Sequence, residues 1–198
     1  SGAASGEALF KRSTFLAESE GAAIASPLVS IVSDATLPAQ LGSRPFDGEG
    51  VRARRNPLVE GGVFRQFLFD SYYARRMGRR TTGSAARIGD TITIGGGNLL
   101  FEPGTATADG IIGSVQDGLY LTDLMGFGIN TTTGDFSRGA AGVWIENGQL
   151  TYPVSEINIS GSLKDILRDI EAVGDDLLWL GASAAPTIKV GRMTVSGL

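Results

Sequence analysis

The 198-residue chain contains neither cysteine nor histidine. Without thiols it forms no disulfide and offers no thiolate to a metal. Without imidazole it lacks the commonest metal ligand and the commonest general base. A zinc site of the usual nitrogen and sulfur type cannot be assembled from such a chain. An all-oxygen Mg²⁺ or Ca²⁺ site would need suitably spaced carboxylates, and no Asp/Glu loop supplies them. Catalysis by this chain alone would fall to Ser, Thr, Lys or carboxylates. The stretch "GDFSRG" (134–139) lacks the spacing of a nucleophile elbow, and no His exists to activate Ser137. The triple glycine at 95–97 is followed by no GK[ST] and is not a phosphate loop. We therefore expect no catalytic residue, no metal ligand and no cofactor in this chain.

Charge and long apolar runs are also scarce. Charged residues make up 19% of the chain, below the usual quarter. No segment approaches the ~18 consecutive apolar residues of a membrane span, and no signal peptide opens the sequence. A soluble, cytoplasmic protein with no membrane partner is expected. The net charge of −4 is unevenly spread. Nine arginines between Arg52 and Arg87 stand against only Glu60 and Asp70, a local excess of seven positive charges, so the remainder carries −11. The stripe lacks interleaved stacking aromatics and any nucleic-acid-binding motif, so a solvated face is the favoured reading over a nucleic-acid site.

Glycine is abundant, 29 residues, roughly twice its average frequency of about 7%. That usage points to tight turns and close backbone approaches in a strand-rich protein. The hydrophobic fraction of 42% suffices for a core, and neither a repeat nor a linker divides residues 1–198. "SPLVSIVSD" (26–34) reads as a strand, and "VRARRNPLVEGGVFRQFLFD" as two strands joined at Glu60-Gly61-Gly62. "SYYARRMG" reads as a short helix stopped at Gly78. Residues 79–97 have the composition of a mobile loop, within which "TITI" is able to form a short strand. Further strands are expected at "NLLFEPG" and "LYLTDLMG", with a helix at "TADGIIGSVQDG" between them. Asn147-Gly148 flanked by apolar alternation signals a hairpin, continued by "SEINISG". "SLKDILRDIEAVG" reads as the clearest helix, with Ser162 as N-cap and Leu163, Ile166, Leu167 and Ile170 on one face. Two short β runs around Gly191 close the chain. The class is α+β, mainly antiparallel β-sheet with hairpins and a few short helices.

The candidate site lies in "GFGINTTTGDFSRGAAGVWIENGQL" (126–150). Asn130, Asp135, Ser137 and Arg138 sit among glycines directly ahead of an apolar strand. Glycines allow close approach at a sheet edge, extended peptides are captured there by strand addition, and Arg138 is suited to hold a carboxylate bidentately. The competing reading is that Asp135 and Arg138, three apart, organise their own loop. "SRPFDGEG" (43–50) divides the same way: Arg44 with Asp47 and Glu49 organises the loop, or Arg44 faces a partner. Tyr72, Tyr73 and Met77 are read as core or interface, and Trp144 as core.

Over nearly its whole length the sequence resembles the TldD/PmbA family, also called modulators of DNA gyrase, and specifically its PmbA (TldE) branch. "GSRPFDGEG", "TGDFSRGAAGVWIENG" and "AVGDDL", in that order, carry the resemblance, together with the ending "PTIKVGRMTVSG". It implies that the chain corresponds to the C-terminal half of a longer protein whose N-terminal α/β domain lies outside it. It also implies a partner. In the TldD branch an HExxxH helix and a later Cys bind zinc, and TldD pairs with TldE as a peptidase that cuts unstructured peptides such as antibiotic precursors and labile antitoxins. The HExxxH segment would fall around Ser1–Gly6, "SGAASG", and the cysteine loop in 177–185, "LLWLGASAA". Neither stretch carries a ligand. The resemblance therefore implies a non-catalytic, metal-free subunit whose zinc is expected in a TldD-like partner, with an unstructured peptide as substrate. Trp179, in the shortened interval, is then a candidate partner-facing residue, since aromatics are enriched at interfaces. A homodimer is expected when the isolated half lacks its partner. The alternative is a binding protein that modulates DNA gyrase or a toxin–antitoxin system without peptidase activity.

Overall fold

The computed structural model describes residues 2–95, 97–126 and 128–197. Ser1 of the segment compared with the zinc helix, Gly96 of the triple glycine and Phe127 of the candidate stretch lie outside them, as does Leu198. Helix α1 (Gly6–Phe10) starts at Ser5, whose side chain accepts from Ala8 N. Strand β1 (Ile31–Asp34) is followed by β2 (Arg55–Glu60) and β3 (Val63–Phe64). The β2–β3 turn is Gly61-Gly62, both at positive φ (54° and 80°), the conformation a two-residue hairpin demands. Helix α2 (Ser71–Arg76) is capped by Asp70, and Gly78 follows its end at φ 65°.

Next come β4 (Ala85–Ile88), β5 (Thr91–Ile94), β6 (Asn98–Phe101) and helix α3 (Ala108–Gly113). The long strands β7 (Asp117–Met125), β8 (Asp135–Glu146) and β9 (Gln149–Ser162) follow, then helix α4 (Leu163–Arg168). Five short strands close the described chain: β10 (Ile170–Val173), β11 (Leu178–Leu180), β12 (Ser183–Ala185), β13 (Ile188–Val190) and β14 (Thr194–Ser196).

A six-stranded sheet runs in the order β11-β12-β6-β1-β2-β3, and a four-stranded sheet in the order β14-β9-β8-β7; β10-β13 and β4-β5 form separate pairs. Among the described residues, every pairing between these strands is antiparallel except β12 with β6. The main core gathers Leu16, Val29, Val59, Phe64, Phe67 and Phe69 with Ile170 and Val173 of β10. Phe64 and Phe67 meet edge to face with ring centroids 4.8 Å apart. Each such fully buried side chain contributes about 1.5–3 kcal/mol. A smaller cluster, Ala140, Ile157 and Ile159, lies within the four-stranded sheet, with Leu119, Leu121, Phe136, Val154 and Met193 against it.

Three expectations are corrected, and one interval gains a structure. Residues 79–97 hold the β4–β5 hairpin rather than a mobile loop, because the 43–50 loop fastens it: Gly48 N donates to Ala85 O (2.8 Å), and Ala85 N to Asp47 Oδ2 (3.1 Å). The clear helix ends at Arg168, because Ile170 pairs with Val190 in the β10–β13 ladder. The interval 177–185 is a hairpin of β11 and β12. Trp144 is half-buried, stacked on exposed Tyr152 with ring centroids 6.4 Å apart, and lies outside both core clusters. Among the described residues no helix is long and apolar enough to cross a membrane.

Candidate functional site

The polar stretch 128–138 is a hairpin extension of β8. Ile129 bridges Phe136, Asn130 N donates to Asp135 O (2.9 Å), and Ser137 N donates to Gly128 O (2.8 Å). Asp135, Ser137 and Arg138 are therefore strand residues, and the turn proper is Thr131 to Gly134. Its chemistry is local. Asn130 Oδ1 accepts from Thr132 N (3.0 Å) and Thr133 N (3.3 Å), and Thr133 Oγ1 donates to Asp135 Oδ2 (2.6 Å). Gly134 turns the chain at φ 90°. Two outside bonds pin the turn: Phe15 N donates to Thr131 O (3.0 Å), and Leu163 N to Gly134 O (2.7 Å).

Asp135 and Arg138 do not pair with each other. Arg138 Nη2 donates to Leu124 O (2.8 Å), reaching across to the end of β7. Its Nε is buried and has no hydrogen-bond partner. Ser137 Oγ receives a hydrogen bond from Asn158 Nδ2 (3.1 Å) on β9. Two depressions flank this paired region. One, of about 540 Å³, is lined by Gly128–Thr131 and Asp135–Ser137. The other, of about 460 Å³, lies between Ser160–Ser162, α4 and Arg192–Thr194, with Asp165, Arg168, Asp169 and Arg192 on its walls. The pairings Asp135–Ser162 and Ser137–Ser160 join the two.

Arg44 and Trp179 stand apart from these four residues, joined to them by no hydrogen bond, ion pair or strand pairing among the described residues. Arg44 does not pair with Asp47 or Glu49; its Nη2 donates to Gly95 O (3.1 Å). Asp47 organises the 43–50 loop by accepting from Glu49 N, Val51 N and Ala85 N, while Glu49 accepts from Ser71 N at the start of α2. Trp179 is half-buried on β11 opposite Ala184, between exposed Leu178 and Leu180. Sequence reasoning missed Asn158 and the Ser160–Ser162 wall, which adjoin the site through the β8–β9 register, and the Leu124 carbonyl, which adjoins it through β7–β8 pairing.

An antiparallel α+β assembly built around a pinned, glycine-rich hairpin is the C-terminal domain of a metallopeptidase-related family. The chain belongs to the PmbA/TldD family: the family model described as "PmbA/TldA metallopeptidase C-terminal domain" matches residues 1–197. It is 40% identical over 196 residues to the metalloprotease PmbA of Escherichia coli O157:H7, covering 99% of this chain and 42% of that protein. It is 37% identical to the PmbA homologue of Haemophilus influenzae, at 98% and 42% coverage. Among solved structures it is similar to a putative modulator of a DNA gyrase from Thermotoga maritima (TM-score 0.91, 33% identity, 98% of this chain and 45% of that one). It is equally similar in fold to TldE from Thermococcus kodakarensis (TM-score 0.91, 30% identity, 98% and 46%). The chain thus spans less than half the length of the relatives it matches.

The family names imply a metal, and the residues present do not fit one. Residues 2–6 use their backbone to hold the chain after β3, through Leu68 N to Ala4 O (2.8 Å) and Gly6 N to Leu68 O (2.7 Å). The β11–β12 hairpin presents Leu, Trp, Gly, Ala and Ser. Among the described residues no group of three or more His, Cys, Asp or Glu side chains is placed to hold a metal ion.

Proposed function

We propose that this chain is the C-terminal part of a non-catalytic subunit in a TldD/TldE-type zinc peptidase complex that processes or degrades unstructured peptides. The observation that carries the reading is the 177–185 interval, where the family resemblance places a zinc-binding thiol. Here it is a short hairpin of Leu, Trp, Gly, Ala and Ser, in a domain that also lacks every imidazole. The likeness to a TldE structure supports the same assignment. Zinc belongs to a TldD-like partner, and this subunit supplies scaffold and part of the substrate cleft.

The pinned hairpin is the part of that cleft contributed here. Its side-chain oxygens on Asn130 and Asp135 are occupied in shaping the turn, and Ser137 is engaged by Asn158. Arg138 is the one cation among these four residues, and so the one suited to meet a carboxylate of peptide or partner. Arg44 and Trp179 belong to a separate, partner-facing surface.

The gyrase reading rests on relatives' names and on the arginine stripe. Three of those arginines are paired, Arg55 with Glu102 (2.6 Å), Arg65 with Glu60 (3.0 Å) and Arg79 with Glu20 (2.7 Å). Such pairing weakens a phosphate-binding footprint.

The test is cleavage of an unstructured peptide by the full-length protein, with and without a TldD-type protein from the same organism, each with and without a zinc chelator. Chelator-sensitive cleavage only in the mixture is expected, and Arg138→Ala should reduce it roughly tenfold or more. Chelator-resistant cleavage by this protein alone would overturn the assignment.

A further inference from the structure

The fold assembles a surface that the linear arginine stripe conceals. Helices α1 and α2 pack side by side and bring Phe10 against Tyr73, with ring centroids 5.8 Å apart. Tyr72 meets Tyr73 edge-on at 5.0 Å. Arg76 lies over two of these rings, its guanidinium carbon 5.0 Å from the Phe10 centroid and 6.0 Å from that of Tyr72. Phe10 and Tyr72 are 40% and 50% exposed, so this is a surface feature and not core. Lys11, Arg75, Arg79 and Arg80 are exposed on the same two helices and the turn after them. Two carboxylates offset them: Glu7 pairs with Lys11 and Glu20 with Arg79. Arg75, Arg76 and Arg80 enter no ion pair among the described residues.

We propose that the α1–α2 face binds a carboxylate-rich, extended segment of another polypeptide. Charge complementarity and the pose of Arg76 carry the choice of ligand. Cation–π contact with Phe10 and Tyr72 restrains the Arg76 side chain, which favours bidentate carboxylate binding because less freedom remains to be lost. The same cation competes for the Phe10 and Tyr72 rings with any base of a single-stranded nucleic acid that would stack there. Arg75 in the same last helical turn adds a second donor fork. Arginines at a helix C-terminus also favour the helix dipole, a role that needs no ligand, so the test must read binding directly.

The measurement is fluorescence anisotropy of a short labelled peptide alternating Glu and Ser, titrated with the full-length protein. Its Glu→Gln counterpart and a short thymidine single strand serve as comparisons. The acidic peptide is expected to bind at least roughly tenfold more tightly than either, with affinity falling as salt rises. Arg75→Gln and Arg76→Gln should each weaken it several-fold, and Arg76→Lys nearly as much as Arg76→Gln, because the fork is lost while the charge stays. Arg54→Gln, exposed on the neighbouring part of the stripe, should leave it unchanged. Thermal unfolding of each variant checks its fold, and Arg75, which touches no ring, gives a variant that spares the aromatic packing. Equal binding of the Glu and Gln peptides, indifference to both substitutions, or preference for the thymidine strand would overturn the proposal. No metal and no partner subunit enter this measurement, so its failure would leave the peptidase assignment standing.

Discussion

Asp70 caps α2 by accepting a hydrogen bond from Tyr73 N at 2.7 Å, yet only 3% of the residue is exposed. Burial raises its pKa above the ordinary carboxylate value; the Tyr73 N–H opposes this, and repulsion from Glu49 and Glu7 adds to it. The folded state therefore holds the proton more tightly than the unfolded chain, and ionising Asp70 costs stability. That cost is absent below the unfolded pKa and complete above the folded one. Asp70→Asn keeps an oxygen for the cap and removes the cost. We predict that its urea midpoint at pH 7 is no lower than that of the parent, with any advantage shrinking as pH falls toward about 4. Asp70→Ala should lose about 1 kcal/mol at pH 7 through loss of the cap. A parent more stable than Asp70→Asn at pH 7 would contradict the argument. At this scale the sequence was only partly legible. It marked Asn130, Asp135, Ser137 and Arg138 as unusual, and Asn130 and Asp135 do bond within their own turn; the partners of Ser137 and Arg138 are a side chain on β9 and a carbonyl on β7, which no local pattern announces.

The β8–β9 hairpin shows why element boundaries were easier to read than register. Asn147 and Gly148 adopt φ 49° and 77°, as an Asn-Gly turn predicts, and both flanking strands are where apolar alternation puts them. Counting outward from Glu146–Gln149 would set Ser137 opposite Asn158. Two irregularities, between Val143 and Ile145 and between Ala140 and Gly142, each insert an extra residue in β9, so Ser137 faces Ser160 instead. The second contains Glu156 at φ 58°, a left-handed conformation that nothing in "SEINISG" reveals. Gly142 has a different reason to be glycine. A Cβ there would fall on the Tyr120 carbonyl oxygen and 3.1 Å from Leu121 Cα. Gly142→Ala should therefore destabilise the protein by about 1–3 kcal/mol in urea unfolding, since β7 must move to admit it. Gly113→Ala, where a Cβ meets nothing within 4 Å at the end of α3, should be neutral or stabilising by up to about 1 kcal/mol. Comparable losses at both positions would indicate a general intolerance and not a clash.

Across the molecule the apolar material is unequally shared. The six-stranded sheet is backed by the Phe64–Phe67–Phe69 core, whereas the four-stranded sheet relies on the small Ala140–Ile157–Ile159 cluster, Ile145 and a half-buried fringe. Local stability follows buried apolar contact. We predict that amides in β7 and the outer half of the β8–β9 hairpin exchange with deuterium at least roughly tenfold faster than those of β1 and β2. Uniform protection over both sheets would refute this. The antiparallel α+β class was readable from turn signals and periodicity, because those act within a few residues. The β10–β13 pairing, the capture of β4–β5 by Asp47 and the joining of α1 to α2 were not, because each depends on distant chain segments meeting.

The parallel pairing of β12 with β6 has a consequence for how the protein is made. Strand β6 is flanked on one side by β1, but its other side is covered by Ala182–Ala184, about eighty residues farther along the chain. During synthesis the ribosome must therefore add both long strands of the hairpin and α4 before that edge is covered. Until then Asn98–Phe101 presents unpaired amides and carbonyls to its surroundings, an open template for other nascent chains. Chaperone demand should accordingly be concentrated late in translation, ending when the β11–β12 hairpin emerges.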